Sequence, residues 1–287
     1  MSMRDDPGAV AGVGVSSLEH QGCRLSYGVE GTGTPVVLIQ GVAVQGEAWR
    51  PQLDALTARH RCLWFDNRGL GRSQPLGCAL TVAQMAEDVR ALMDARGWDS
   101  AHVVGHSLGG LIAQHLALTE RARVRSLSLL CTFARGRHVT VPSPRMMWLG
   151  LRSRVGPRAW RRRAFLRMVM PPEALLQEDP DALAGRLAHL FGHDLADSPP
   201  VAMRQMAAMG AYDSTPRLKE LAGLPTLVVS ATEDPIAPPR LGRVLGEGIP
   251  GARYVEIPAA SHGVTIQHAG HINTLLLEHL ARADAPR

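Results

Sequence analysis

The segment VVGHSLGGLI, Val103 to Ile112, places Ser107 between Gly105 and Gly109, where an apolar run gives way to a helix-like run. Two roles fit that spacing. In a plain strand-to-helix turn the glycines relieve crowding and Ser107 caps the helix. In a nucleophile elbow the turn is so tight that neighbours two positions away carry no bulk, and the strained serine projects its hydroxyl into a cleft. Such a hydroxyl attacks only when a base takes its proton and a third group orients that base. Asp234, in SATEDPIAPP, and His262, in IPAASHGV, are candidates for orienting acid and base. Glu233 competes for the acid role. His106 adjoins the serine, but an elbow neighbour is expected to point away from the cleft. His268 and His271 fall in a C-terminal helical stretch and read as structural.

These groups meet only if the chain brings their loops together. In an open parallel sheet, active groups collect at the carboxyl ends of strands, so each candidate should follow one. Strand-like runs cover residues 22–30, 35–40, 62–66, 102–105, 124–130, 225–231 and 253–257. Several are continuously apolar, as expected for strands covered on both faces. Ser107 follows HVVG, Asp234 follows PTLVVSA and His262 follows RYVEI. All three candidates pass.

Between these runs the spacing turns helical. Val82, Met85, Val89, Leu92 and Met93 share one side of a helix that Thr81 caps and Gly97 stops. Helices are also expected at about 108–118, near 238–247 and from near His268. The alternation predicts an α/β fold, a mostly parallel sheet flanked by helices. Residues 133–213 contain no strand-like run. Within them, 157–170 puts Trp160, Ala164, Phe165, Met168 and Val169 on one apolar face, which should bury itself and turn most neighbouring arginines to solvent. The reading is a core in two parts, 1–132 and 214–287, with a helical lid at 133–213.

Composition narrows the function. The 287 residues are 45% hydrophobic, enough for one large core, and the net charge is +5. Lys219 is the only lysine. Thirteen arginines and no acid lie between Arg121 and Pro172; outside that segment acids exceed bases by eight. No regularly spaced aromatics accompany the basic stretch, so nucleic-acid binding is not expected. No run approaches the roughly 18 apolar residues of a membrane span. The start, MSMRDDPGAVAGVG, lacks the basic and apolar pattern of a signal peptide, and a cytoplasmic protein is expected. Cys23, Cys62, Cys78 and Cys131 have neither zinc-site nor disulfide-scaffold spacing.

The sequence resembles the α/β-hydrolases from roughly residue 22 to residue 283. PVVLIQGVAVQGEAW is similar to the family's strand and oxyanion loop, FDNRGLGRSQP to its D-x-R-G-x-G-x-S segment, and VVGHSLGGLIA to its elbow. LVVSATEDPIAPP and IPAASHG match the acid and histidine loops, and the chain order Ser, Asp, His is the family's. The resemblance implies a Ser107–His262–Asp234 triad, with Asp234 favoured over Glu233 by its place before the Pro-rich stretch. It also implies a lid inserted after the sixth strand and backbone donors from Val42 and Leu108 forming an oxyanion hole. Gln40 stands where the family usually has histidine. Asp66 and Arg68 are expected to brace loops.

Serine at the elbow separates this chain from the dehalogenases and epoxide hydrolases, which carry aspartate there. QGVAVQG is not the G-G-x-P loop of proline iminopeptidases. What the resemblance implies is acyl transfer to water, with no metal or organic cofactor, on a small-molecule acyl substrate. Esters come first; lactones, thioesters and carbon–carbon bonds of activated ketones are alternatives, and cofactor-free haloperoxidases share the triad. An acyl carrier protein docking on the arginine-rich lid is a possible partner of a thioesterase or cyclase. A receptor with slow or no turnover is the reading outside enzymes.

Overall fold

The computed structural model describes residues 14–140 and 143–285. The stretch read for a signal peptide lies outside them up to residue 13, as do the outermost ends of the two core parts.

Eight strands, β1 (Ser16–His20), β2 (Cys23–Glu30), β3 (Thr34–Ile39), β4 (His60–Phe65), β5 (Ala101–His106), β6 (Val124–Leu130), β7 (Thr226–Ala231) and β8 (Arg253–Ile257), form one sheet in the order β1-β2-β4-β3-β5-β6-β7-β8. β1 and β2 run antiparallel to their neighbours, and every pair from β4–β3 onward is parallel. The apolar runs are covered on both faces. Val37, Ile39, Val103 and Leu129 point to one layer and Val36, Leu38, Val104 and Leu130 to the other, as the two-residue period of a strand requires.

Helices supply the covering layers. The first layer packs under α2 (Val82–Ala95), α3 (Leu108–Thr119) and α10 (Pro239–Gly248), the second under α1 (Arg50–Leu56) and α12 (Ala269–Asp284). α2 begins and ends as its sequence directs. The Thr81 side chain accepts from Gln84 N, and Gly97 takes a φ of 64° just past the helix end.

After β6 the chain leaves the sheet for a helical insertion of α4 (Arg137–Thr140), α5 (Pro144–Arg152), α6 (Arg158–Val169), α7 (Ala174–Gln177), α8 (Pro180–Phe191) and α9 (Ala202–Gly210). A short antiparallel stem closes its neck. Gly136 N donates to Tyr212 O, Ser214 N to Ala134 O, and Arg135 pairs with Asp213 at 3.2 Å. Among the described residues no helix is long and apolar enough to cross a membrane.

α6 differs from its expected face at one residue. Ala164 and Val169 are buried, Phe165 and Met168 pack against the same core, and Leu166 joins them, whereas Trp160 stays half exposed and stacks under the Arg152 guanidinium, 4.6 Å from the ring centroid. The reason is electrostatic. Acids from later in the insertion meet the first turns of α6: Arg158 pairs with Asp194 and Asp197, Arg162 with Asp194, and Arg163 with Asp181. These pairs hold the arginine-rich end at the rim, so only the C-terminal half of the helix reaches the core.

Candidate active site

Ser107 ends the β5–α3 turn with φ 54° and ψ −118°, a conformation L-residues rarely adopt. Glycine makes the turn possible. A Cβ on Gly105 would strike the Gly109 carbonyl, and one on Gly109 would strike that of Ile39. Gly110 leaves room for Thr132, whose hydroxyl donates to Ser107 O at 2.7 Å and braces the strained residue from just past the end of β6.

Asp234 and His262 come together as the loops after β7 and β8 converge. His262 Nδ1–H donates to Asp234 Oδ2 at 2.7 Å, which leaves Nε2 as the free basic nitrogen. Asp234 Oδ1 accepts from Ile236 N and Ala237 N, both at 2.8 Å. Burial alone would raise this carboxyl, but the His262 ring and the backbone donors outweigh it and hold the group below its ordinary value. Glu233 is exposed, and among the described residues it makes no hydrogen bond or ion pair to the His262 ring.

His106 belongs to this cluster. Its side chain is buried against the histidine loop, where Nε2–H donates to His262 O at 2.9 Å and the two rings lie 4.8 Å apart. Burial, then the neighbouring His262 ring, push it down to about 3, so it stays neutral. The serine's neighbour thereby joins the elbow to the backbone of the histidine loop. Gly263 N, one residue on, donates to Val169 O at the end of α6, so the insertion pins the same loop from above. His268 caps α12 and reaches Ala259 O, and His271 is exposed on that helix.

The loop after β3 closes the third side. Gly41 abuts the elbow so closely that a Cβ there would lie 3.1 Å from that of Ser107. Val42 is half buried on this loop, and Leu108 begins α3. Among the described residues neither Val42 N–H nor Leu108 N–H has a hydrogen-bond acceptor. Two free donors flanking a strained serine suit a developing oxyanion, and the first turn of α3 adds its dipole.

His106, Cys131 and His262 also place ligand-type atoms within 4.8 Å of one another. Two of them are directed at Asp234: His262 through Nδ1, and Cys131 through a thiol that burial and the carboxylate push well up. That engagement favours hydrogen bonding over metal ligation.

The model of the family described as the alpha/beta hydrolase fold matches residues 34–269. This chain is an α/β-hydrolase. It is 32% identical over 263 residues to "Putative carbamate hydrolase RutD" of Azorhizobium caulinodans, covering 88% of this chain and 93% of that one. Among solved structures it is similar to the enol-lactonase of Burkholderia xenovorans LB400, at 28% identity and a TM-score of 0.78, over 93% of this chain and all of that one. A thermophilic esterase from Thermogutta terrifontis superposes with a TM-score of 0.75 at 26% identity, covering 92% and 95% of the two chains.

In this α/β-hydrolase the loop after β3 is held differently from what Gln40 alone would provide. The Gln40 side chain turns back to accept from Gly41 N at 3.3 Å, while Asn67 donates to Gln40 O at 3.0 Å. The insertion holds the rest: Gln205 Oε1 accepts from Ala43 N at 2.8 Å, and the His193 ring lies between two carbonyls, Nε2 2.9 Å from Ala43 O and Nδ1 2.9 Å from Asp194 O. Ala43 sits between these contacts with a φ of 61°, a conformation an L-residue rarely adopts. Asp66 and Arg68 brace as expected. Asp66 accepts from Gly46 N and Arg72 N, and the fully buried Arg68 is forked onto Asp88.

Sequence reading missed His106, Thr132, His193 and Gln205 as supports of the site. Gln205 lies 162 residues from the backbone it holds, and no local spacing marks such a pair.

Proposed function

We propose that this hydrolase cleaves a carboxylic ester or a related acyl bond of a small molecule through a Ser107–His262–Asp234 triad. Two observations carry the reading: a strained serine at the β5–α3 elbow, and a histidine on the loop after β8 whose Nδ1 is tied to a buried carboxylate at 2.7 Å. Ser107 Oγ attacks the substrate carbonyl as His262 Nε2 takes its proton, and the N–H groups of Val42 and Leu108 receive the oxyanion. His262 then protonates the leaving group. A water, deprotonated by the same nitrogen, releases the acid from the acyl-enzyme. Asp234 fixes the imidazole tautomer and balances its charge. The cycle needs neither metal nor organic cofactor. Names among the relatives, carbamate hydrolase, enol-lactonase and esterase, support a small acyl substrate.

A fluorophosphonate should label one serine per chain, Ser107. A panel of short acyl esters, lactones, carbamates and acyl thioesters should show repeated turnover on at least one class. Labelling at another serine would reassign the nucleophile, and labelling without turnover would favour a receptor. A preference for carrier-bound thioesters would favour the thioesterase alternative, although Arg158, Arg162 and Arg163 are already paired within the insertion.

The support from Gln205 makes a second expectation. Gln205→Leu keeps the volume but removes the acceptor for Ala43 N, so the loop carrying Val42 relaxes. Turnover on the best ester should fall about tenfold, within what a small misplacement of catalytic groups produces. An unchanged kcat would mean that His193 and Asn67 hold the loop without it.

A further inference from the structure

A cavity of about 580 Å³ lies within the insertion, beside the loop that carries Asp234. Neither Ser107 nor His262 lines it. The core contributes only Glu233 and Pro235, the residues flanking Asp234. The volume is that of a small-molecule site.

Its lining divides into two parts. Leu166, Met170 and Leu175 make an apolar wall drawn from α6, the turn after it and α7. Arg145 of α5 and Arg163 and Arg167 of α6 are the exposed, charged part of the lining. Arg163 is engaged by Asp181 at 3.3 Å. Arg145 and Arg167 have no hydrogen bond or ion pair among the described residues, unlike Arg158 and Arg162 of the same insertion. Glu233 is the one carboxylate on the lining. An apolar wall beneath two unpaired guanidinium groups is complementary to an amphipathic anion. A cation would meet repulsion, and a neutral molecule would forgo the ion pairs that these two exposed guanidinium groups, otherwise hydrated, can offer an anion.

We infer that this cavity is a binding site for a small organic anion with an apolar body, of which a medium-chain carboxylate is the simplest example. The alkyl chain lies along Leu166, Met170 and Leu175. The carboxylate is held by Arg145 and Arg167, away from Glu233. The site is separate from the proposed triad and does not depend on its assignment.

Calorimetric titration with sodium octanoate tests this, with 1-octanol and octyltrimethylammonium as neutral and cationic counterparts of the same chain. The intact protein should bind octanoate, bind octanol roughly tenfold more weakly and bind the cation not at all. Arg145→Gln with Arg167→Gln should weaken octanoate by about tenfold, leave octanol unchanged, and remove the loss of affinity that added salt causes in the parent. Leu175→Asp, which puts a carboxylate on the wall, should abolish octanoate binding. Arg154→Gln, whose arginine does not line the cavity, should change nothing. Melting curves of each variant verify folding. No octanoate binding at millimolar concentration, equal affinity for acid and alcohol, or indifference to the double substitution would each overturn the assignment.

Discussion

Ser107→Ala is expected to leave a folded protein whose turnover falls by about 10⁴-fold or more, and Asp234→Asn to lose about as much, some 5.5 kcal/mol of transition-state stabilisation. The aspartate result follows from where its two oxygens lie. Oδ1 accepts from Ile236 N and Ala237 N, so an asparagine must keep its carbonyl oxygen there. Its NH₂ group then faces His262 Nδ1, the atom that now donates to Oδ2. Two donors cannot share that contact. The ring is driven to the tautomer with its proton on Nε2, and the base that should take the serine proton is lost. Glu233→Gln provides the contrast, because Glu233 is exposed and unconnected to the ring; kcat should stay within about threefold. Steady-state kinetics on one ester decide the matter. Equal losses at the two positions, or a larger one at Glu233, would move the acid role to Glu233.

Parts of the fold with a local physical cause were legible in the sequence. The continuous apolar runs of β3, β5 and β7 declare burial on both faces, and Thr81 and Gly97 declare the ends of α2. The elbow is legible because steric exclusion at Gly105 and Gly109 leaves its mark two residues either side of Ser107. β1 is less visible. As an edge strand of mostly polar residues, Ser16–His20 turns only Leu18 and His20 inward, too few apolar positions to show an alternation. Trp160 was misplaced because apolar periodicity does not register charge. Asp181, Asp194 and Asp197 lie beyond the acid-free stretch and anchor α6 by its arginines. His106 is a similar case. Adjacent to the serine, it suggests a role by position, yet its partner is a backbone carbonyl 156 residues away.

Acidification should destabilise this protein above the range in which carboxylates titrate. His60, His102, His106, His115 and His279 all titrate below their ordinary value, with burial as the leading cause in each. His102 and His279 are pushed down to about 4 and His106 to about 3. Between those values and about 6.5 the unfolded chain binds a proton at each position that the folded chain refuses. Stability therefore falls as pH drops through that window, by about 1.4 kcal/mol per histidine per pH unit. Three such groups remove several kcal/mol by pH 5, a large share of a domain's usual 5–15 kcal/mol. Asp234 and Asp284 are shifted down from the carboxylate value, so their contribution holds until the pH falls below about 4 and does not offset this loss. The melting temperature should be level from pH 8 to 7 and then drop steeply toward pH 5. His279→Gln, which replaces a buried titrating ring with a neutral amide, should flatten that slope by up to one proton. A melting temperature that stays level down to pH 5 would mean that these histidines take up protons in the folded state, and the burial argument would fail.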